Sequence, residues 1–195
     1  MNRLILVNKE NKINDDFIND IVLVDAFVGE KKYLVEKDTY DAYLKLKDFL
    51  FEKGIVICIS SAYRSLERQQ EIYEEFITRY GIEYANKIVA PVGCSEHHTG
   101  FAVDIDIMID GRFLTSNKEL MEHEDVYLEI HKYISQFGFI LRYLKGKEDI
   151  TGYPYEPWHI RYIGDSKIAK YIYENHLTLE EYLMKRDWFN IFFVL

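Results

Sequence analysis

The spacing of apolar residues changes several times along this chain, and each change marks an element. Residues 3–7 and 21–24 are short runs rich in β-branched side chains and predict strands, with the polar stretch around Asn14, Asp15 and Asp16 as a loop between them. Asp38 and Thr39 are placed to cap a helix through about Lys53; Tyr40, Tyr43, Leu44 and Leu50 give it an apolar stripe, and Gly54 stops it. Ile55 to Ile59 is apolar at both parities, as in a strand buried on both faces. Ser65 then caps a second helix with Leu66, Gln69/Gln70, Tyr73, Phe76/Ile77 and Tyr80 at helical spacing; Gly81 ends it, and residues 82–88 add a helical turn. Pro91 and Gly93 break the chain.

From Ala102 the period becomes two. Val103, Ile105 and Ile107 point one way and Ala102, Asp104 and Asp106 the other, so this strand shows one face to a core and one to a polar cleft. Asp110-Gly111 signals a turn, and a helix from about Ser116 to Gln136 is predicted after it. Gly138 to Tyr143 reads as a strand, residues 145–157 as loop, and Trp158 to Ile163 as another alternating strand. Thr178-Leu179-Glu180-Glu181 has the form of a capping box for a last helix. The tail from Trp188 to Leu195 is too apolar for a free end; packing on the core is expected, with a homodimer contact as the alternative. Without repeats, low-complexity segments or linkers, residues 1–195 read as one domain.

Composition narrows the partners. A net charge of −9 speaks against nucleic acid or an anionic membrane as the main partner. Two cysteines are no disulfide framework; Cys58, inside an apolar run, reads as a buried thiol. The first residues hold too short an apolar run for a signal peptide, and no stretch approaches the roughly 20 apolar residues of a membrane helix. The expectation is a cytoplasmic protein without membrane insertion.

The chemistry concentrates between Cys94 and Asp106, where His97, His98, Asp104 and Asp106 flank Gly100. Imidazole and carboxylate are ligands for a divalent metal such as zinc, and a catalytic zinc takes three protein ligands. His97 and Asp104 are candidates, and His159, on the polar parity of the later strand, is the third, although a lone strand histidine is more often structural. Glu156 stands three residues before His159; Pro157 excludes a helical His-Glu-x-x-His arrangement, leaving a loop carboxylate suited to proton transfer, or a surface glutamate. Arg64 follows a buried strand, where it could hold a carboxylate or polarise a carbonyl, or be solvated. His98 is expected to point away from a metal. Asp106 is expected to orient a ligand or to be solvated. His123, His131 and His176 fall in helical regions and receive no role.

Three segments together resemble a known family. Ser95 to Asp104 fits Ser-x-His-x-x-Gly-x-Ala-x-Asp, Glu156-Pro157-Trp158-His159 fits Glu-x-Trp-His, and Ser61-Ala62-Tyr63-Arg64-Ser65 with Gln69 fits Ser-x-Tyr-Arg-Ser…Gln. They are similar to the zinc D,D-peptidases of the VanY/VanX type, within the lysostaphin, D-Ala-D-Ala peptidase and hedgehog-like fold group. Further segments, among them Gly138 to Tyr143 and Arg161 to Gly164, resemble the cytoplasmic bifunctional VanXY proteins of vancomycin resistance. The resemblance implies an α+β fold with a small, mostly antiparallel central sheet flanked by helices. It implies one zinc held by His97, Asp104 and His159, Glu156 as catalytic base, and Arg64 at the scissile carbonyl as it becomes an oxyanion. It implies that Ser95 and Gln69 position substrate, and that the substrates are D-Ala-D-Ala and peptidoglycan precursors ending in it, whose loss deprives vancomycin of its target. Two alternatives stand beside it: an L,D-carboxypeptidase or cell-wall endopeptidase of the same fold, and a zinc-stabilised binding module without turnover, against which Glu156 and Arg64 both count.

Overall fold

The computed structural model describes residues 1–193, with side chains through Trp188. In chain order the elements are α1 (Asp15–Asn19), β1 (Leu23–Val28), β2 (Lys31–Glu36), α2 (Lys37–Glu52), β3 (Ile57–Ser61), α3 (Leu66–Tyr80), α4 (Ile82–Ile88), a 3-10 turn (Glu96–Thr99), β4 (Ala102–Ile109), β5 (Arg112–Phe113), α5 (Asn117–Glu122), α6 (Glu124–Ile134), a second 3-10 turn (Ser135–Phe137), β6 (Phe139–Leu141), α7 (Glu148–Thr151), β7 (His159–Tyr162), α8 (Ser166–Glu174) and α9 (Leu179–Phe193). This is an α+β fold. The main sheet runs β3-β4-β7-β6, with β5 paired to β4, and its pairings are antiparallel; β1 and β2 form a separate hairpin.

The predicted parity of β4 decides how the layers stack. Val103, Ile105 and Ile107 are completely buried against Tyr43, Leu46 and Leu50 of α2 and Tyr127, Ile130 and Ile134 of α6. Fully burying side chains of this size contributes about 1.5–3 kcal/mol each. Asp104 and Asp106 face the other side. At the β6 edge the opposite parity, through Ile140, packs on Ala169 and Ile172 of α8 and on Leu179. The hairpin is stitched to the site by backbone bonds, Glu36 N–H to Gly100 O (3.2 Å) and Tyr63 N–H to Leu34 O (2.8 Å). Gly100 permits this approach: its φ is +69°, and a Cβ there would lie 3.0 Å from Glu36 Cβ.

Several elements differ from expectation. Residues 3–7 join no ladder; their carbonyls at Arg3 and Ile5 instead accept from the buried Arg161 guanidinium, at 3.0 Å each. The stretch after Asn14 is a short helix, capped by the Asn14 side chain on Phe17 N–H. The cap of α2 is Glu36, whose carboxylate accepts from Thr39 N–H and hydroxyl, and its buried stripe passes through Leu46 rather than the exposed Leu44. The single helix expected over 116–136 breaks at His123 (φ −115°, ψ 36°), while Leu120, Tyr127, Ile130 and Ile134 continue one buried stripe across the break. The loop expected over 145–157 contains α7. Thr178 and Glu181 do form the reciprocal capping box, at 3.1 and 2.8 Å. Trp188 is largely exposed, and the side chains of the rest of the apolar tail lie outside the described residues. Cys58 and Cys94 are free thiols.

Candidate active site

The polar face of β4 meets the start of β7 where Asp104 is paired in register with His159. Ser95 caps the 3-10 turn by accepting from His97 N–H (3.3 Å), and that turn delivers His97 to the same place. The ligand atoms of His97, Asp104 and His159 all lie within 4.8 Å of one another. His97 Nε2 is 3.2 Å from Asp104 Oδ2, and His159 Nδ1 is 2.8 Å from Asp104 Oδ1. About 3.3 Å is the edge of a tetrahedron with zinc–nitrogen bonds of about 2.0–2.1 Å.

The donor set fits a divalent cation. Asp104 Oδ1 is buried and has no hydrogen-bond partner despite the nearby ring nitrogen. The Nδ1 of His97 faces Ala62 O at 2.7 Å, so Nδ1–H donates there and Nε2 is left with its lone pair toward the cluster. Burial pushes His97 down to about 4, keeping it neutral as a ligand must be. Burial also opposes charge on His159, but Asp104, Glu96 and Glu156 outweigh it and raise His159 to about 9. The cluster therefore calls for positive charge, which a metal ion supplies when it replaces that proton.

Glu156 reaches the cluster from the loop ahead of β7, its Oε2 3.8 Å from His159 Nδ1. The loop is pinned by Glu156 N–H to Tyr143 O (3.3 Å), by His159 N–H to Glu156 O (3.2 Å) and by the buried His131, whose Nε2 lies 2.8 Å from Pro157 O. Burial pushes the Glu156 carboxyl up to about 7; Asp104 adds to the rise, while His159 and Arg64 pull it down.

A bulge at Ser60 in β3 turns the chain out of the sheet and brings Arg64 to the opposite wall. Its guanidinium donates to Gln69 Oε1 (2.9 Å) and Ser61 Oγ (3.1 Å), and its backbone N–H donates to His97 O (3.1 Å). The cleft between these groups measures about 270 Å³; Ser95 and Tyr143 lie on its lining, and Ile72, Phe76, Ile88 and Trp158 make it partly apolar.

Of the residues expected here, His97, Asp104, His159, Glu156, Arg64 and Ser95 come together around the cleft. Gln69 does not line it. It is fully buried behind Arg64, accepting from the guanidinium and donating to Ala90 O at 2.6 Å. His98 points away as expected, bridging Arg64 O (2.6 Å) and Gly93 N–H (3.2 Å). Asp106 is buried, not solvated, and burial raises its carboxyl. Sequence reasoning missed Glu96, Arg142, Arg161 and Glu180, a buried charge cluster directly behind His159. The signal was two arginines inside otherwise apolar strand segments.

The VanY family profile, D-alanyl-D-alanine carboxypeptidase, matches residues 32–165, more than half of the chain. The chain belongs to the VanY family. Its relatives include a D-alanyl-D-alanine carboxypeptidase of Enterococcus faecalis, 37% identical over 92% of this chain and 65% of that protein. The chain thus spans less than two thirds of that relative's length. The bifunctional D-Ala-D-Ala dipeptidase and carboxypeptidase VanXYC of Enterococcus gallinarum is 29% identical, over 93% of this chain and 94% of that one. The VanXY likeness is therefore moderate. Among solved structures, a glutamate-to-alanine mutant of the D,D-pentapeptidase VanY from a VanB-type resistance cassette, in complex with Zn(II), matches with TM-score 0.79 and 34% identity, covering 94% of this chain and 99% of that one. The LdcB LD-carboxypeptidase matches with TM-score 0.81 and 36% identity, covering 94% and 86%. Membership of this family, the zinc-bound relative and the His97–Asp104–His159 cluster make this VanY-family member a zinc metallopeptidase. Among the described residues, no helix is long and apolar enough to cross a membrane.

Proposed function

We propose that this VanY-family member is a D,D-carboxypeptidase that removes the terminal D-alanine from peptidoglycan precursor peptides, with His97, Asp104 and His159 as its zinc ligands. Zinc, when bound there, polarises a carbonyl and makes water a better acid. The observation that carries the reading is Glu156: a cleft-facing carboxylate beside the cluster, tuned by burial to about 7, where a group both takes and returns protons. Glu156 takes the proton of the attacking water and returns it to the leaving amine. Arg64 presents its positive charge where negative charge grows on the carbonyl oxygen, already held in place by Gln69 and Ser61. The half-apolar cleft suits peptide ends with small methyl side chains. A role in vancomycin resistance goes with this substrate, and a cytoplasmic place of action goes with the VanXY resemblance, which cell fractionation checks.

The test is D-alanine release from three peptides in parallel: free D-Ala-D-Ala, a pentapeptide ending in it, and a tetrapeptide whose last D-alanine follows an L-centre. The pentapeptide is expected to be cut. Cleavage of the free dipeptide as well supports a bifunctional enzyme like VanXYC. Cleavage of the tetrapeptide alone supports the L,D-carboxypeptidase reading, which the LdcB likeness favours. No cleavage of any of them removes the proposal. In the same assay Glu156→Gln is expected to keep its zinc and lose about 10²–10⁴-fold in turnover; a variant with wild-type turnover takes Glu156 out of the mechanism.

A further inference from the structure

Behind His159, away from the cleft, four charged side chains are buried together: Glu96, Arg142, Arg161 and Glu180. Burying two ion pairs is expensive, and such clusters add little stability over apolar packing. Their arrangement around one carboxylate suggests what they are for. Glu96 Oε1 accepts from Arg142 Nε (2.6 Å) and from an Arg161 terminal nitrogen (2.8 Å). Arg142 is itself fixed by a two-pronged bond to Glu180 (2.6 and 2.9 Å), and Arg161 by three backbone carbonyls. One oxygen of Glu96 is thus saturated. The other, Oε2, is buried without a hydrogen-bond partner and lies 3.6 Å from His159 Nε2, which is buried and also without one. Two orphaned polar atoms face each other across a gap that a shift of about half an ångström would close to ordinary hydrogen-bond length.

We infer that Glu96 is a positioning residue for the metal centre: clamped by Arg142 and Arg161, it accepts Nε2–H of His159, so that the ring presents Nδ1 to the ion in one tautomer and one orientation. The inference rests on the reading of His159 as a ligand. A ligand histidine whose second nitrogen is held by a carboxylate gains basicity and loses rotational freedom, and removing such a partner costs about 10–100-fold in metal affinity. The two histidines differ in this respect: the second nitrogen of His97 faces a backbone carbonyl, while that of His159 faces the side chain of Glu96, the residue preceding His97.

The experiment measures zinc affinity by competition with a chromophoric chelator in the full-length wild type and in Glu96→Gln, Glu180→Gln and His159→Ala. Glu96→Gln is expected to weaken zinc binding about 10–100-fold. Glu180→Gln breaks the same buried cluster without touching the Glu96–His159 pair; it is expected to lower the melting temperature of the metal-free protein yet leave zinc affinity within about twofold. Equal losses in the two glutamate variants, or none in Glu96→Gln, overturn the positioning role. Retained affinity in His159→Ala overturns the ligand reading itself, a separate outcome. Because Glu96→Gln risks misfolding, nitrogen NMR of the zinc-loaded wild type gives an independent answer. His159 is expected as the Nε2–H tautomer with Nδ1 metal-bound, and the opposite tautomer refutes the inference.

Discussion

Arg64 is a single residue whose usefulness depends on being held still. A free arginine side chain carries up to about 2 kcal/mol of rotamer entropy; here Gln69 and Ser61 each take one of its terminal nitrogens, and Gln69 is anchored in turn on Ala90 O. Gln69→Ala is therefore expected to lower kcat on the order of 10²-fold, as small misplacements of catalytic groups do, while zinc content stays at the wild-type level. Steady-state kinetics with metal analysis check this, and an unchanged kcat would detach Gln69 from the mechanism. At this scale the residues proposed to carry the reaction were the legible ones, because His97, Asp104, Glu156 and His159 sit in short motifs with fixed spacing, and the fold brings them together at the cleft. Their supports were not. A buried glutamine on a helix looks in sequence like any polar surface position, and Glu96 gains its partners from Arg142, just past β6, and Arg161 of β7, 46 and 65 residues away.

Among the elements, α6 does more than cover the sheet. His131 on its buried face holds Pro157 O and so fixes the loop that carries Glu156. Burial pushes His131 down to about 4, against an ordinary value near 6.5. The folded state thus holds it neutral while the unfolded chain takes up a proton below about 6.5. Its contribution is present above that pH, is lost as pH falls through the window to about 4, and is flat below it. The loss is on the order of 3 kcal/mol at most. Urea denaturation of the metal-free protein between pH 7 and 4 is expected to show a shallower decline for His131→Gln than for the wild type; parallel curves would contradict this. Strand β4 was readable from its alternation because one face is core and one is cleft. Residues 3–7 were misread because apolar content alone does not reveal that their carbonyls are used by a buried guanidinium. Helix α8 went unread between two stronger signals, and the break at His123 is invisible to a pattern that runs on unbroken through Leu120, Tyr127 and Ile130.

For the whole molecule, the candidate metal site lies on one face of the sheet and the apolar core on the other. Zinc held there would join β4, β7 and the 3-10 turn, while none of the three proposed ligands belongs to the apolar core. At free zinc about a hundred times its dissociation constant, binding adds about 2.7 kcal/mol to stability. For a chain of this size that is roughly 5–11 °C of melting temperature. Chelation is expected to lower the melting temperature by that order and leave the far-ultraviolet circular dichroism intact; collapse of the dichroism would mean that the metal holds the fold together.

The wall formed by α3 and α4 has a further consequence. It brings Ile72, Phe76 and Ile88 to the cleft, yet Gln69 is the one buried residue of α3 and Ala85 the one of α4. A segment with so little buried apolar surface opens at low free energy. Its backbone amides are expected to exchange with deuterium well before those of β4 and β7, and to slow when a peptide occupies the cleft. Exchange as slow as in the sheet would show a rigid wall instead. If the wall does open, peptides of different length could be admitted by moving one side of the cleft, while the ligands on the sheet stay still.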